Sequence, residues 1–226
     1  MPLLQAFVVL LMSYLLGSVP FGWVVVKVAT GRDIRGIESG RTGGTNAMRA
    51  AGCLAGVFTA LFDGAKAFLA VYLARWVFPE TSSLRVWIEI VAPLMAIMGH
   101  NYSIFLLERH ESGRLKIRGG AGGAPCFGGA LGLWPPIGFF LFPLIALIFL
   151  FGGYASITTL SIALIAVVVF AVRALQGLLP WQYVLYGLLA ELVLLWALRP
   201  NLARLRAGTE RRHDPLKLRT KGKPEA

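Results

Sequence analysis

Apolar residues in this chain fall in long runs, and most runs approach the roughly 20 residues a helix needs to cross a bilayer. The first extends from Leu3 to Val28 and the second from Leu54 to Phe78, with Asp63, Lys66 and Arg75 inside it. A third covers Val86 to Met98 and can continue to Leu107. A longer stretch, Ala124 to Phe151, is interrupted at Trp134-Pro135-Pro136, and the runs Ile157 to Leu175 and Trp181 to Leu198 follow it. This pattern predicts an all-α integral membrane protein, a polytopic bundle occupying residues 1–198. The first run follows Met1 without a basic n-region or small-residue cleavage site, so it is expected to be a retained helix.

The polar segments set the expected topology, because Lys and Arg mark cytoplasmic loops. Loop 29–53 carries Arg32, Arg35, Arg41 and Arg49, and loop 101–123 carries Arg109, Arg114, Lys116 and Arg118. Residues 199–226 form a basic tail with nine of the chain's 22 Lys and Arg. The N-terminus, the Pro-Pro break and the turn Gly177 to Pro180 carry none. Placing the basic segments on one side requires Ala124–Phe151 to cross twice, as a hairpin at Pro135-Pro136. The expectation is therefore about seven transmembrane helices, N-terminus out and C-terminus in. The first leg of the hairpin, about ten residues, is too short to span alone and must be shielded by protein. The turn Gly152 to Ser156 then joins the other polar clusters at the inner face. A count of six crossings puts that turn or the tail on the opposite side.

Composition agrees: 57% of the 226 residues are hydrophobic and 15% charged, against about 25% charged in soluble domains. The net charge of +11 is concentrated after the last apolar run, as in a tail held against anionic membrane lipids. No folded polar domain carries a basic stripe, so no nucleic-acid partner is expected. Cys53 and Cys126 form no CxxC and no metal-ligand spacing, so they read as packing residues and neither a metal nor a cofactor is expected.

Five segments can carry chemistry. Gly31 to Arg49 mixes glycines, hydroxyls and arginines, including Ser39, Thr45 and Asn46; such a segment can present backbone N–H groups to an anion, with Arg49 adding a fork suited to phosphate. The second cluster is Gly99-His100-Asn101-Tyr102-Ser103 followed by Arg118-Gly119-Gly120-Ala121-Gly122-Gly123, a glycine run at a helix start. That is phosphate-site geometry without the order of a P-loop. His100 can equally be a hydrogen-bonded interface residue, and His110 and His213 read as solvated. Asp63 and Lys66, one turn apart in an apolar run, are either a structural pair or face a cavity. Ser156 follows Gly-Gly-Tyr-Ala, where a serine is ordinarily an N-cap. Arg204 and Arg206 can meet lipid phosphate.

Taken in order, these pieces resemble the PlsY-type acyl-phosphate:glycerol-3-phosphate acyltransferases. The matching segments are Gly17-Ser-Val-Pro-Phe-Gly22, Asp33-Ile-Arg35, Glu38-Ser-Gly40, Gly44-Thr-Asn46 with Arg49, Asp63 with Lys66, Gly99 to Ser103, Arg118-Gly-Gly120, Tyr154-Ala-Ser156, Asn201-Leu-Ala-Arg-Leu205 and Gly208-Thr-Glu210. The resemblance implies a multi-pass enzyme of the cell's inner (plasma) membrane, its site facing the cytoplasm. It implies transfer of a fatty acyl group from acyl phosphate to glycerol 3-phosphate, giving lysophosphatidic acid for phospholipid synthesis. It implies Ser39, Arg49 and Ser156 as catalytic residues. Thr45, Asn46, His100, Ser103, Arg118, Gly119, Gly120, Gly122, Asn201 and Arg204 are the expected substrate-binding residues.

The chain departs from the family pattern at several places. The family's Lys-Gly-Gly-Lys-Gly reads Arg118-Gly-Gly-Ala121-Gly here. A family histidine three residues before Asn201 is Leu198, and an asparagine after Ser39-Gly40 is Arg41. Residues Glu108 to Lys116 look like an insertion. Arg41 or Lys116 is a candidate for the lost charge. These departures leave a non-catalytic relative as an alternative, with a transporter built on Asp63 and Lys66 as a third.

Overall fold

The computed structural model describes residues 1–109, 113 and 115–212, so His110, Arg114, His213 and the last part of the tail lie outside the described residues. The helices, in chain order, are α1 (Pro2–Ser18), α2 (Phe21–Thr30), α3 (Gly44–Ala51), α4 (Cys53–Val77), α5 (Arg85–Asn101), α6 (Gly123–Leu133), α7 (Gly138–Leu147), α8 (Ala155–Leu175) and α9 (Gln182–Arg206). A wide π-type turn, Ile148–Gly152, extends α7. Six helical stretches are long and apolar enough to cross a membrane, and α6 is a shorter apolar helix of 10–17 residues. Helix thus dominates as expected, except for one antiparallel hairpin of β1 (Leu107–Arg109) and β2 (Leu115–Ile117), registered Glu108 opposite Lys116. This hairpin is the segment that sequence marked as an insertion.

The first apolar run is two helices and not one. Pro20 has no N–H to give, and it disfavours helical geometry in the residue before it. The chain therefore breaks at Val19, whose ψ is 116°. The break frees the Val19 carbonyl, and Lys66 Nζ donates to it at 3.1 Å.

The short helix α6 has 11 residues, about 16 Å of rise. It survives in an apolar bundle because other helices cover it and its end is satisfied. Cys126, Ala130 and Leu133 are buried in a core shared with α5, α8 and α9. A Cβ on Gly128 would lie 1.9 Å from the Gly64 carbonyl oxygen of α4, so the two backbones touch only because that side chain is absent. At its C-terminal end, Arg75 of α4 donates to the carbonyls of Gly132 and Leu133, both at 2.9 Å. These are orphan acceptors of a helix terminus, and an unsatisfied one is costly without water. Arg75 is held in turn by Glu89 at 3.3 Å, and Glu89 also accepts from Arg85 at 2.7 Å and from the Tyr183 hydroxyl at 2.8 Å.

The last helix runs eight residues beyond Leu198, to Arg206, so the first part of the basic tail continues α9. Pro200 sits inside it and leaves the Trp196 carbonyl without its helical donor. Arg199 Nε replaces that donor at 3.1 Å.

Candidate active site

At one end of the bundle the polar segments enclose a cavity of about 960 Å³. It is lined by Glu38, Ser39, Arg41, Thr45, Asn46 and Arg49 from the first loop and α3, by Asp63 and His100, by Gly122 and Gly123, and by Ser156, Asn201, Arg204 and Glu210. The cavity continues between helices past Phe68, Phe127, Leu131, Phe142, Ile145 and Ile162. It thus has a polar, cationic head and an apolar tail.

Three helices begin on the head. Gly43 to Thr45 open α3, Gly122 to Ala124 open α6, and Ala155 and Ser156 open α8. First-turn N–H groups have no intrahelical partner and carry the positive end of the helix dipole, so each start attracts an anion. Pro125 in the first turn of α6 forfeits no hydrogen bond.

Arg49 is half-buried at the C-terminal turn of α3. Its guanidinium has no hydrogen bond or ion pair among the described residues. Burial lowers its pKa, partly offset by Glu210, but a guanidinium stays charged near neutrality. Its charge is therefore available to a ligand. Ser156 Oγ donates to Glu210 Oε2 at 2.7 Å, and Asn201 Nδ2 donates to Glu210 Oε1 at 3.1 Å. Glu38, also on the cavity wall, pairs with Arg211. The segment after α9 thus folds over the cavity mouth, and Arg204 also reaches the wall.

Asn46 is both a wall residue and a tie. Its amide nitrogen donates to the carbonyls of Ile37 at 3.0 Å and Arg41 at 2.8 Å, which fixes the loop carrying Ser39. Ser39 itself is exposed, and its Oγ accepts from the Arg41 N–H at 3.4 Å. The loop is anchored at its start by Asp33, which caps Arg35 N and takes its guanidinium at 2.6 Å. The hydrogen bond from Arg35 holds the Asp33 carboxyl well below the usual carboxylate range.

Asp63, Lys66 and His100 form a buried group. Lys66 Nζ stands 2.9 Å from Asp63 Oδ1 and 3.0 Å from His100 Nδ1. Asp63 and His100 also line the cavity, whereas Lys66 faces the Val19 break. The pair is structural and cavity-facing at once: it ties the break between α1 and α2 to α4 and α5, and Asp63 lies on the cavity wall.

Four expected substrate contacts stand off the cavity wall. Ser103 is buried, and its Oγ donates to the Ser18 carbonyl at 2.5 Å. Arg118 turns to Glu108 at 2.8 Å, because the inserted hairpin supplies a carboxylate beside it. Gly119 accepts from the Thr42 N–H at 3.3 Å. Gly120 packs on the His100 ring, where an added Cβ would lie 1.9 Å from Nε2. These glycines shape the turn from behind, and Gly122 is the one on the wall. Glu210 was not singled out from sequence, although it is the first acid after Glu191 and sits inside a matching motif. Arg41, a departure from the family pattern and a candidate for the lost charge, bonds the glycine turn and α9 together.

The glycerol-3-phosphate acyltransferase family model matches residues 7–208. A glycerol-3-phosphate acyltransferase of Thermus thermophilus is 37% identical over 203 residues, covering 90% of this chain and 92% of that protein. The chain belongs to the glycerol-3-phosphate acyltransferase family. A second relative, glycerol-3-phosphate acyltransferase 2 of Moorella thermoacetica, is 34% identical and 94% covered. Among solved structures, the glycerol 3-phosphate form of PlsY, an integral membrane glycerol 3-phosphate acyltransferase, superposes with a TM-score of 0.78 at 28% identity, covering 94% of this chain and 98% of that one. Its lysophosphatidic acid form gives 0.74 at 27% identity.

Proposed function

We propose that this family member transfers a fatty acyl group from acyl phosphate to the 1-hydroxyl of glycerol 3-phosphate, releasing lysophosphatidic acid and inorganic phosphate. The observation that carries this reading is the cavity's shape: one space with an arginine-bearing, helix-start-lined head and an apolar tail. An acyl phosphate has that form, and glycerol 3-phosphate fits the head alone.

The chemistry asks little of the protein beyond placement. The acyl carbonyl carbon is already activated by its phosphate. The glycerol hydroxyl oxygen forms the new ester bond as the bond from carbonyl carbon to phosphate oxygen breaks. The hydroxyl proton leaves with phosphate. The protein's part is to hold two phosphates close, align the hydroxyl and exclude water. In this reading Arg49 and the start of α3 grip one phosphate, and the start of α6 with Arg204 receives the other. Ser39 and Ser156, both on the cavity wall, position the reacting groups, with Thr45, Asn46, His100 and Asn201 completing the lining. Arg49→Ala is expected to abolish product formation while leaving the fold intact, and full activity in that variant would remove Arg49 from the mechanism.

The same reading places the cavity at the cytoplasmic face of the plasma membrane, with α6 and α7 as the two legs of a hairpin and seven crossings in all. The supporting observations are the bias of Lys and Arg and the gathering of loops 29–53, Ser156 and Asn201 on one cavity. Cysteines introduced at Ser39 and Arg212 are expected to react with a membrane-impermeant reagent only from the inner side. Labelling of either from outside would reverse the orientation.

A further inference from the structure

Arg41 occupies an unusual position. Its Nη1 donates to the Gly120 carbonyl at 2.9 Å, and its Nη2 donates to the Ala197 carbonyl at 2.6 Å and to Asn201 Oδ1 at 3.1 Å. Gly120 immediately precedes Ala121, and Ala197 immediately precedes Leu198. These are the two positions where the family pattern has Lys and His and this chain has neither. Arg41, Ala121 and Leu198 all line the cavity.

We propose that Arg41 is a phosphate-binding residue that supplies, from the first loop, the positive charge missing at positions 121 and 198. This rests on the acyltransferase reading. Arg35, Arg75, Arg85, Arg118 and Arg211 each pair with a carboxylate. Arg41 instead contacts only neutral oxygens, so no touching carboxylate cancels its charge. A partly buried cation held this way is costly until an anion arrives. Burial and the nearby charge of Arg204 both lower its pKa, and Glu210, which reaches it only through Asn201, offsets part of this. Its three bonds leave further guanidinium N–H groups free. The other candidate for the lost charge, Lys116, is exposed on β2 and does not reach the cavity. Exchange of charge between a loop and the glycine turn also explains why Arg118 can be released to Glu108.

The test is a charge-swap series assayed with acyl phosphate and glycerol 3-phosphate in lipid, at matched amounts of monodisperse protein. Arg41→Asn is expected to raise KM for a phosphate-bearing substrate by roughly 10- to 150-fold, and adding Ala121→Lys to it is expected to recover most of that loss. Ala121→Lys alone is expected to give no gain, because the cation position is already filled. Wild-type KM in Arg41→Asn, or failure of Ala121→Lys to restore it, overturns the proposal. If Arg41→Asn does not fold, the single Ala121→Lys variant decides: a tenfold lower KM means that the position was vacant and the proposal is wrong. Lack of turnover in the wild type would instead sink the acyltransferase reading, so the two failures are distinct.

Discussion

Ser156 and Glu210, 54 residues apart, share a hydrogen bond of 2.7 Å from serine Oγ to carboxylate Oε2. The bond ties the start of α8 to the segment that follows α9. It orients the hydroxyl of Ser156 on the cavity wall and fixes the chain that closes the mouth. Hydrogen bonds to charged groups contribute about 1.5–3 kcal/mol. Glu210→Gln is therefore expected to lower kcat/KM about 10- to 100-fold. Ser156→Ala in the Glu210→Gln background is expected to add little further loss, since the two side chains act together. Fully additive losses in a double-mutant cycle would show that the bond is not used.

The clamp at the far end of the bundle predicts a stability effect without a change in chemistry. Arg75→Ala uncovers the Gly132 and Leu133 carbonyls and removes one partner of buried Glu89. The expected cost is about 3 kcal/mol, read as a lower unfolding temperature in detergent. Activity per folded molecule is expected to stay near wild type, because Arg75 does not line the cavity.

The apolar tail of the cavity predicts chain-length selectivity. Leu131, Phe142 and Ile145 line it, so Leu131→Trp is expected to raise KM for long-chain acyl phosphates several-fold while short-chain donors are handled normally. Equal effects on both lengths would place the acyl chain elsewhere.

Asp33 gives a pH signature. Its folded pKa lies below the ordinary value of 3.8 because Arg35 holds the charged form. Its contribution to stability is thus complete above that ordinary value and fades as pH falls further. Asp33→Asn is expected to be less stable than wild type at neutral pH, with the gap shrinking below pH 3.8. A gap that widens on acidification would contradict this.

Much of this architecture was legible because bilayer solvation forces long apolar runs and collects polar segments between them. The Pro135-Pro136 break, the shielded short helix and the convergence of Asn46, Ser156 and Asn201 follow from that pattern. The break at Pro20 and the continuation through Pro200 were hidden because proline alone does not say whether a helix ends. At both places another side chain takes an open carbonyl, Arg199 for Trp196 and Lys66 for Val19, and the helix ends at one and continues through the other. The direction of Arg118 was hidden for a related reason: its neighbour Glu108 is remote in the motif and adjacent only once the hairpin forms. Side-chain direction across loops depends on such long-range pairs, which spacing does not encode.

The most direct test is a donor comparison with purified chain in lipid: acyl phosphate, acyl-CoA and acyl carrier protein, each supplied with labelled glycerol 3-phosphate. Lysophosphatidic acid and inorganic phosphate are expected in equal amounts over many turnovers from acyl phosphate, with little product from the other two. Monodisperse protein that yields no product from acyl phosphate, or prefers a thioester donor, would contradict a head built to hold two phosphates side by side.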